Sequence, residues 1–248
     1  MDPFSFAPIA ALLNVAYVIV EALAALFTPI AGSAAAAIAI VALTMLVRAA
    51  LIPVGIAQAK AEWTRRRLAP KLQQLQRRHK KNPQLLQQKT MELYKGENAS
   101  PFAGVLPALA QAPMLSLVYA LFLRRTVDGH ANALLTEHLL DTPLDVSFVH
   151  LLAIGAIWPG LATFGALFAV MVGTAWVSRQ MALRAAIPAM PTAGAARLHS
   201  WLPFASVIFA ALVPLAATLY LATSTLWTLI ERAILQRRYW RPQARDVG

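Results

Sequence analysis

A guanidinium set inside an otherwise apolar run constrains this chain more than any other feature. Residues Ala34 to Lys60 read AAAAIAIVALTMLVRAALIPVGIAQAK. Fourteen residues without a charge lead to Arg48, and nine apolar or small ones follow it. The run meets the roughly 20 residues that a membrane-spanning helix needs at about 1.5 Å per residue. An Arg within such a span costs roughly 2.5–3.5 kcal/mol on insertion scales, so it is a functional residue by default. Two roles compete for it. Arg48 either snorkels to headgroups at the near end of the helix or faces a water-filled cavity. Thr44, one turn earlier, extends the polarity into a short stripe.

The rest of the chain supplies more runs of this kind. It is 58% hydrophobic and only 13% charged over 248 residues, the composition of an all-α polytopic membrane protein. A net charge of +11 would suit a nucleic-acid binder, but the bases cluster between apolar runs, as topology-setting loops do. There is no cysteine, so no disulfide and no thiolate metal site. The opening MDPFSFAP lacks the basic region of a signal peptide.

In chain order, residues 1–33 are expected to form an extracytoplasmic N-terminus and an interfacial helix. Asn14, Tyr17, Glu21 and Thr28 recur at helical spacing, which favours an interfacial amphipathic helix over a span. Residues 34–57 form the first transmembrane helix. Residues 58–100 are densely basic and therefore cytoplasmic. Leu68, Leu72 and Leu75, then Leu86 and Leu93, make two apolar stripes, and Asn82-Pro83 between them reads as an N-cap with proline in the first turn. The expectation is a helical hairpin. Its Arg65, Arg66, Arg67, Arg77, Arg78, Lys80 and Lys81 are candidate contacts for anionic headgroups or RNA, unless they only set topology.

Residues 101–123 form the second span, where Pro107 and Pro113 beside Gln111, Ser116 and Tyr119 suggest a kinked, cavity-lining helix. Residues 124–158 form an acidic external loop. Its His130, His138 and His150 lack ligand spacing, so no metal is expected. Residues 159–178 make the third span, with Thr163, Thr174 and Ser178 near one face. Residues 179–200 hold three Arg and no acid, and are cytoplasmic. Residues 201–213 and 215–235 make the last two spans, joined outside at Pro214. The final span carries Tyr220, Thr223, Ser224, Trp227 and Glu231 as one stripe. The tail, 236–248, adds Arg237, Arg238 and Arg241. Five spans with the N-terminus outside and the C-terminus inside satisfy every loop.

None of the eleven acids lies at mid-depth in a predicted span. Arg48 thus has no fixed counter-ion unless Glu21 or Glu231 turns toward it. Polar residues on several helices exceed what topology needs. Thr44, Gln111, Tyr119, Thr174, Ser178, Tyr220, Ser224 and Trp227 are the candidate lining of a cavity around Arg48. No Walker motif, glycine-rich phosphate loop or nucleophile–base pair is present, so neither an enzyme nor a cofactor is expected. A small-solute transporter or channel would use the same cavity, but the chain lacks the inverted-repeat pattern of such proteins.

Three segments then carry a resemblance: ALTMLVRAALIPVGIAQAKA, LAPKLQQLQRRHKKNPQLLQQKTMELYK and ASPFAGVLPALAQAPMLSLVYALF. Together with WLPFASVIFAALVPLAATLYLATSTLWTLIERAIL, they resemble the YidC/Oxa/Alb family of membrane protein insertases over nearly the whole chain. Two positions depart from the family pattern. Its Phe-Pro-small-Gly turn is Val213-Pro214-Leu215-Ala216 here, and its Asn pair in the last helix is Ser224-Thr225. The resemblance implies the short bacterial form, in the plasma membrane, with a hydrophilic groove open to cytoplasm and lipid. Arg48 matches the groove arginine. Nascent membrane proteins would be the substrates, with the ribosome, the Sec translocon and anionic lipids as partners.

Overall fold

Helix follows helix in this protein because apolar and alanine-rich segments are interrupted only by glycine, proline and polar turns. The computed structural model describes residues 7–100, 121, 126–127, 130–132, 137–155, 158–185 and 200–239. Most of the expected second span, with Gln111, Ser116 and Tyr119, lies outside these residues, as does the tail with Arg241.

Helix α1 (Ala7–Ala31) ends at a 3-10 turn, Gly32–Ala34, where Gly32 takes φ +53°, a left-handed conformation that glycine adopts without cost. The chain reverses into α2 (Ala35–Ala50). Leu13, Ala16 and Val20 of α1 are buried in one cluster with Ala36, Ala37, Ala39, Ile40 and Leu43 of α2. Its outer face is mixed: Asn14, Glu21 and Thr28 are exposed there, and so are Val15, Val18 and Leu26.

The Arg48 helix is not continuous. It breaks at Leu51, and α3 (Ile52–Arg78) continues the path. Pro53 is the cause, since it has no N–H to donate to the carbonyl four residues back. Leu51 N bonds Val47 O at 3.1 Å, and the two amides after Pro53, Val54 and Gly55, both bond Leu51 O. After a short turn comes α4 (Pro83–Gly96), whose N-cap is Asn82: its side chain accepts from Leu85 N at 3.0 Å. α3 and α4 run antiparallel, with Leu68, Leu72 and Tyr94 buried between them.

Two-residue ladders follow, β1 (Thr126–Val127) with β2 (His130–Ala131) and β3 (His138–Leu139) with β4 (Thr142–Pro143). Then come α5 (Phe148–Ala153), α6 (Gly160–Ala185), α7 (Leu202–Leu212) and α8 (Leu215–Tyr239). The loop before α5 closes the start of α8. Leu215 N donates to Val146 O (2.9 Å) and Ala216 N to Leu144 O (3.0 Å), which satisfies amides that a helix start leaves open. Phe148, Phe164 and Phe168 stack at 5.2–5.8 Å and pin α5 onto α6. α7 folds back along α8 through Pro214, and Thr218 Oγ1 donates to Ala210 O at 2.7 Å.

Among the described residues, two stretches are long and apolar enough to cross a membrane, Leu13–Ala50 and Gly160–Arg184. Leu202–Leu212 is apolar but shorter, and the C-terminal half of α8 carries Glu231, Arg232, Arg237 and Arg238. The fold is therefore nearly all helical, with apolar helices of membrane type.

A polar pocket between the Arg48 helix and the last helix

Two helical paths meet in a shared register. Arg48 and Ser224 face one another, and seven residues further along each path so do Gly55 and Glu231. Equal spacing in the same sense means that α2–α3 and α8 run parallel, with the two polar levels about 10 Å apart along the axis.

At the upper level, Arg48 Nε donates to Ser224 Oγ at 2.9 Å, and Nη2 reaches the same oxygen. Arg48 is half-buried, while Ser224 and Tyr220 are buried, and the Tyr220 hydroxyl joins the same polar group. The side chain thus points across to α8 and not along its own helix. A serine oxygen accepts hydrogen bonds but leaves the charge uncancelled.

At the lower level, Glu231 comes close against the backbone of Gly55. A Cβ at position 55 would fall 1.8 Å from Glu231 Oε1 and 2.8 Å from its Cδ, so only glycine admits this approach with the carboxylate in place. Trp227, one turn before Glu231, brings its buried indole N–H beside the Glu231 carboxylate as a hydrogen-bond donor, and Glu231 Oε1 is buried.

Between and below these levels lies a pocket of about 250 Å³. Arg48, Gly55, Gln58, Glu62, Trp63 and Arg66 line one side, with Thr228, Glu231, Arg232 and Gln236 on the other. Glu62 pairs with Arg66 one turn on. Arg67 lies 5.1 Å over the Trp63 ring.

The other expected lining residues have different places. Thr44 is fully buried and its hydroxyl returns to Ile40 O (2.7 Å). Thr174 is buried and bonds Met171 O (2.8 Å), and Ser178 is half-buried one turn further along α6. Neither α6 residue lines this pocket. Arg65, Arg67, Arg77, Arg78, Lys80, Lys81, Arg237 and Arg238 are exposed, while Arg66 turns into the pocket. Sequence reasoning missed Gly55, Glu62, Trp63 and Thr228.

Over residues 26–242 the chain matches the family described as 60Kd inner membrane protein. It belongs to that family, the YidC/Oxa/Alb family. Among similar proteins is the membrane protein insertase YidC of Granulibacter bethesdensis, 29% identical over 223 residues, covering 83% of this chain and 36% of the relative. That of Zymomonas mobilis is 28% identical over 212 residues, 84% of this chain and 35% of the relative. That of Clostridium perfringens is 40% identical over 85 residues, 34% of this chain and 36% of the relative. The chain thus spans about a third of the length of these relatives.

Proposed function

We propose that this protein is a membrane protein insertase that carries short hydrophilic tails of its substrates part-way across the bilayer through a wet groove centred on Arg48. The observation that carries this reading is the direction of the Arg48 side chain. It crosses to Ser224 and borders a polar pocket, where a snorkelling Arg would lie along its own helix toward the headgroups.

The work of insertion is a solvation problem. Drawing polar groups through about 30 Å of hydrocarbon leaves them without hydrogen-bond partners. A hydrated pocket shortens that path, and a cation with no cancelling partner at its level among the described residues attracts a tail bearing Asp or Glu. The substrate's apolar segment then passes sideways into lipid. No covalent step enters. Five spans, N-terminus outside and C-terminus inside, with the α3–α4 pair in the cytoplasm, belong to the same proposal. So do the candidate groove residues Gln111, Tyr119 and Trp227. Nascent membrane proteins are the proposed substrates. The exposed bases of α3, α4 and the C-terminal segment would meet ribosomal RNA or anionic lipid, with a Sec translocon as a working partner.

The test is insertion, by the reconstituted full chain, of one single-span substrate carrying either an acidic or a neutralised tail. Arg48→Ala should lower insertion of the acidic tail roughly threefold or more, the order expected for one charge in a partly hydrated site, and leave the neutral tail at the parent level. Arg48→Lys should retain most activity, since a wet groove needs the charge more than the guanidinium fork. Equal insertion of both tails by the Ala variant, at the parent rate, would refute the groove charge.

A further inference from the structure

Glu231 has no assigned task in the groove reading, yet its position is the most specific in the pocket. It sits one heptad beyond Ser224 on the face that meets Arg48. It requires glycine opposite, at position 55. One of its oxygens is buried, and the indole N–H of Trp227 is the donor beside its carboxylate. Of the two acids lining the pocket among the described residues, Glu62 is paired with Arg66, one turn away on its own helix. Glu231 is the other, and it shares the pocket with Arg48 and with its own neighbour Arg232.

We propose that Glu231, seated against Gly55, is a specificity-determining residue: a resident anion that partly offsets Arg48 and sets how strongly the pocket favours acidic substrate tails. The inference rests on the groove reading and deepens it. An incoming Asp or Glu meets the field of Arg48 reduced by a fixed negative charge two turns further along, on the facing wall of the same pocket. A tail that is neutral meets no such penalty. The seat matters because a carboxylate lodged against a helix backbone keeps its charge at one depth, where a freely rotating one would turn out to solvent. The glycine at position 55 gives the carboxylate that seat.

The experiment measures the ratio of acidic-tail to neutral-tail insertion for the reconstituted full chain and three variants. Glu231→Gln keeps the shape and removes the charge, and should raise the ratio roughly threefold. Glu231→Asp keeps the charge but shortens its reach to the seat, and should give a ratio between those of the parent and Glu231→Gln, which a purely structural role for the side chain would not require. Arg48→Ala should lower the ratio. If Arg48→Ala lowers it while Glu231→Gln leaves it at the parent value, the role of Glu231 is overturned and the groove reading stands. If Arg48→Ala leaves the ratio unmoved, the groove reading itself falls. Should Glu231→Gln fail to yield a monodisperse protein, Glu231→Ala carries the same readout.

Discussion

Position 55 shows how one missing methyl group can organise a site. A Cβ there would meet Glu231 Oε1 at 1.8 Å, but the atom it meets is the end of a flexible side chain, so the carboxylate would move before the helices did. Replacing a helical glycine by alanine ordinarily gains about 0.5–1 kcal/mol through reduced backbone entropy. Gly55→Ala should therefore leave overall stability within about 1 kcal/mol of the parent, the helical gain being offset by displacing the carboxylate. In a Glu231→Ala background the offset disappears, and the same change should stabilise by roughly 0.5–1 kcal/mol. Unfolding of all four proteins in one detergent gives the coupling between the two sites. A coupling of zero would mean that Glu231 does not occupy the notch.

At the scale of elements, the α3–α4 pair joins apolar packing to a polar clasp. Leu68, Leu72 and Tyr94 supply the buried area, while Glu97 just past α4 takes Arg67 (2.9 Å) and Lys71 (2.5 Å) from α3. The Lys71 hydrogen bond first, and then the charges of Lys71 and Arg67, hold the Glu97 carboxyl below its ordinary range. Glu92 is also lowered, chiefly by its hydrogen bond from Lys89, but that pair lies within α4 and links nothing across. A carboxylate lowered in the folded state stabilises at pH above its unfolded value, about 4.3, and the benefit is lost as pH falls through the folded value. Protection of the α4 amides, measured against their intrinsic exchange rate at each pH, should therefore fall below about pH 4. Glu97→Gln should show the lower protection already at neutral pH, and Glu92→Gln should not. An unchanged profile in Glu97→Gln would leave Leu68, Leu72 and Tyr94 as the whole clasp. These two helices and the Asn82 cap were legible because leucine spacing and Asn-Pro are local signals. The break at Leu51 was written in Pro53, but the run around it is apolar enough to span without interruption. The Gly55–Glu231 contact was not legible, because it depends on which distant helices are neighbours and in what register. Thr44 and Thr174 illustrate the converse: a threonine on a helix can bond its own preceding turn, so a polar stripe need not face a cavity.

For the molecule as a whole, charge and helix direction agree. The starts of α2, α6 and α8 gather around the segment with Glu137, Asp141 and Asp145, through Thr142–Thr163 at 3.2 Å and the carbonyls of Leu144 and Val146. The other ends carry Arg65 to Arg67, Arg179 and Arg184, and Arg237 and Arg238. Charge is acidic at one end of the helices and, despite Glu62 and Glu231, basic on balance at the other. Because loop lysines and arginines are retained on the cytoplasmic side, that polarity predicts one orientation, with the basic end inside. The chain has no cysteine, so a single introduced one reports without background. Leu140, 67% exposed in the acidic loop, should as Leu140→Cys react with an impermeant thiol reagent in intact cells. Ser100→Cys, just past α4, should react only after permeabilisation, and so should Arg237→Cys near the end of α8. The pair that matters most is Leu140 and Arg237, because α8 starts beside one and ends beside the other. If both label from the same side, α8 does not cross the bilayer. The Arg48–Ser224 and Gly55–Glu231 levels would then be a surface feature, with no groove for a tail to enter.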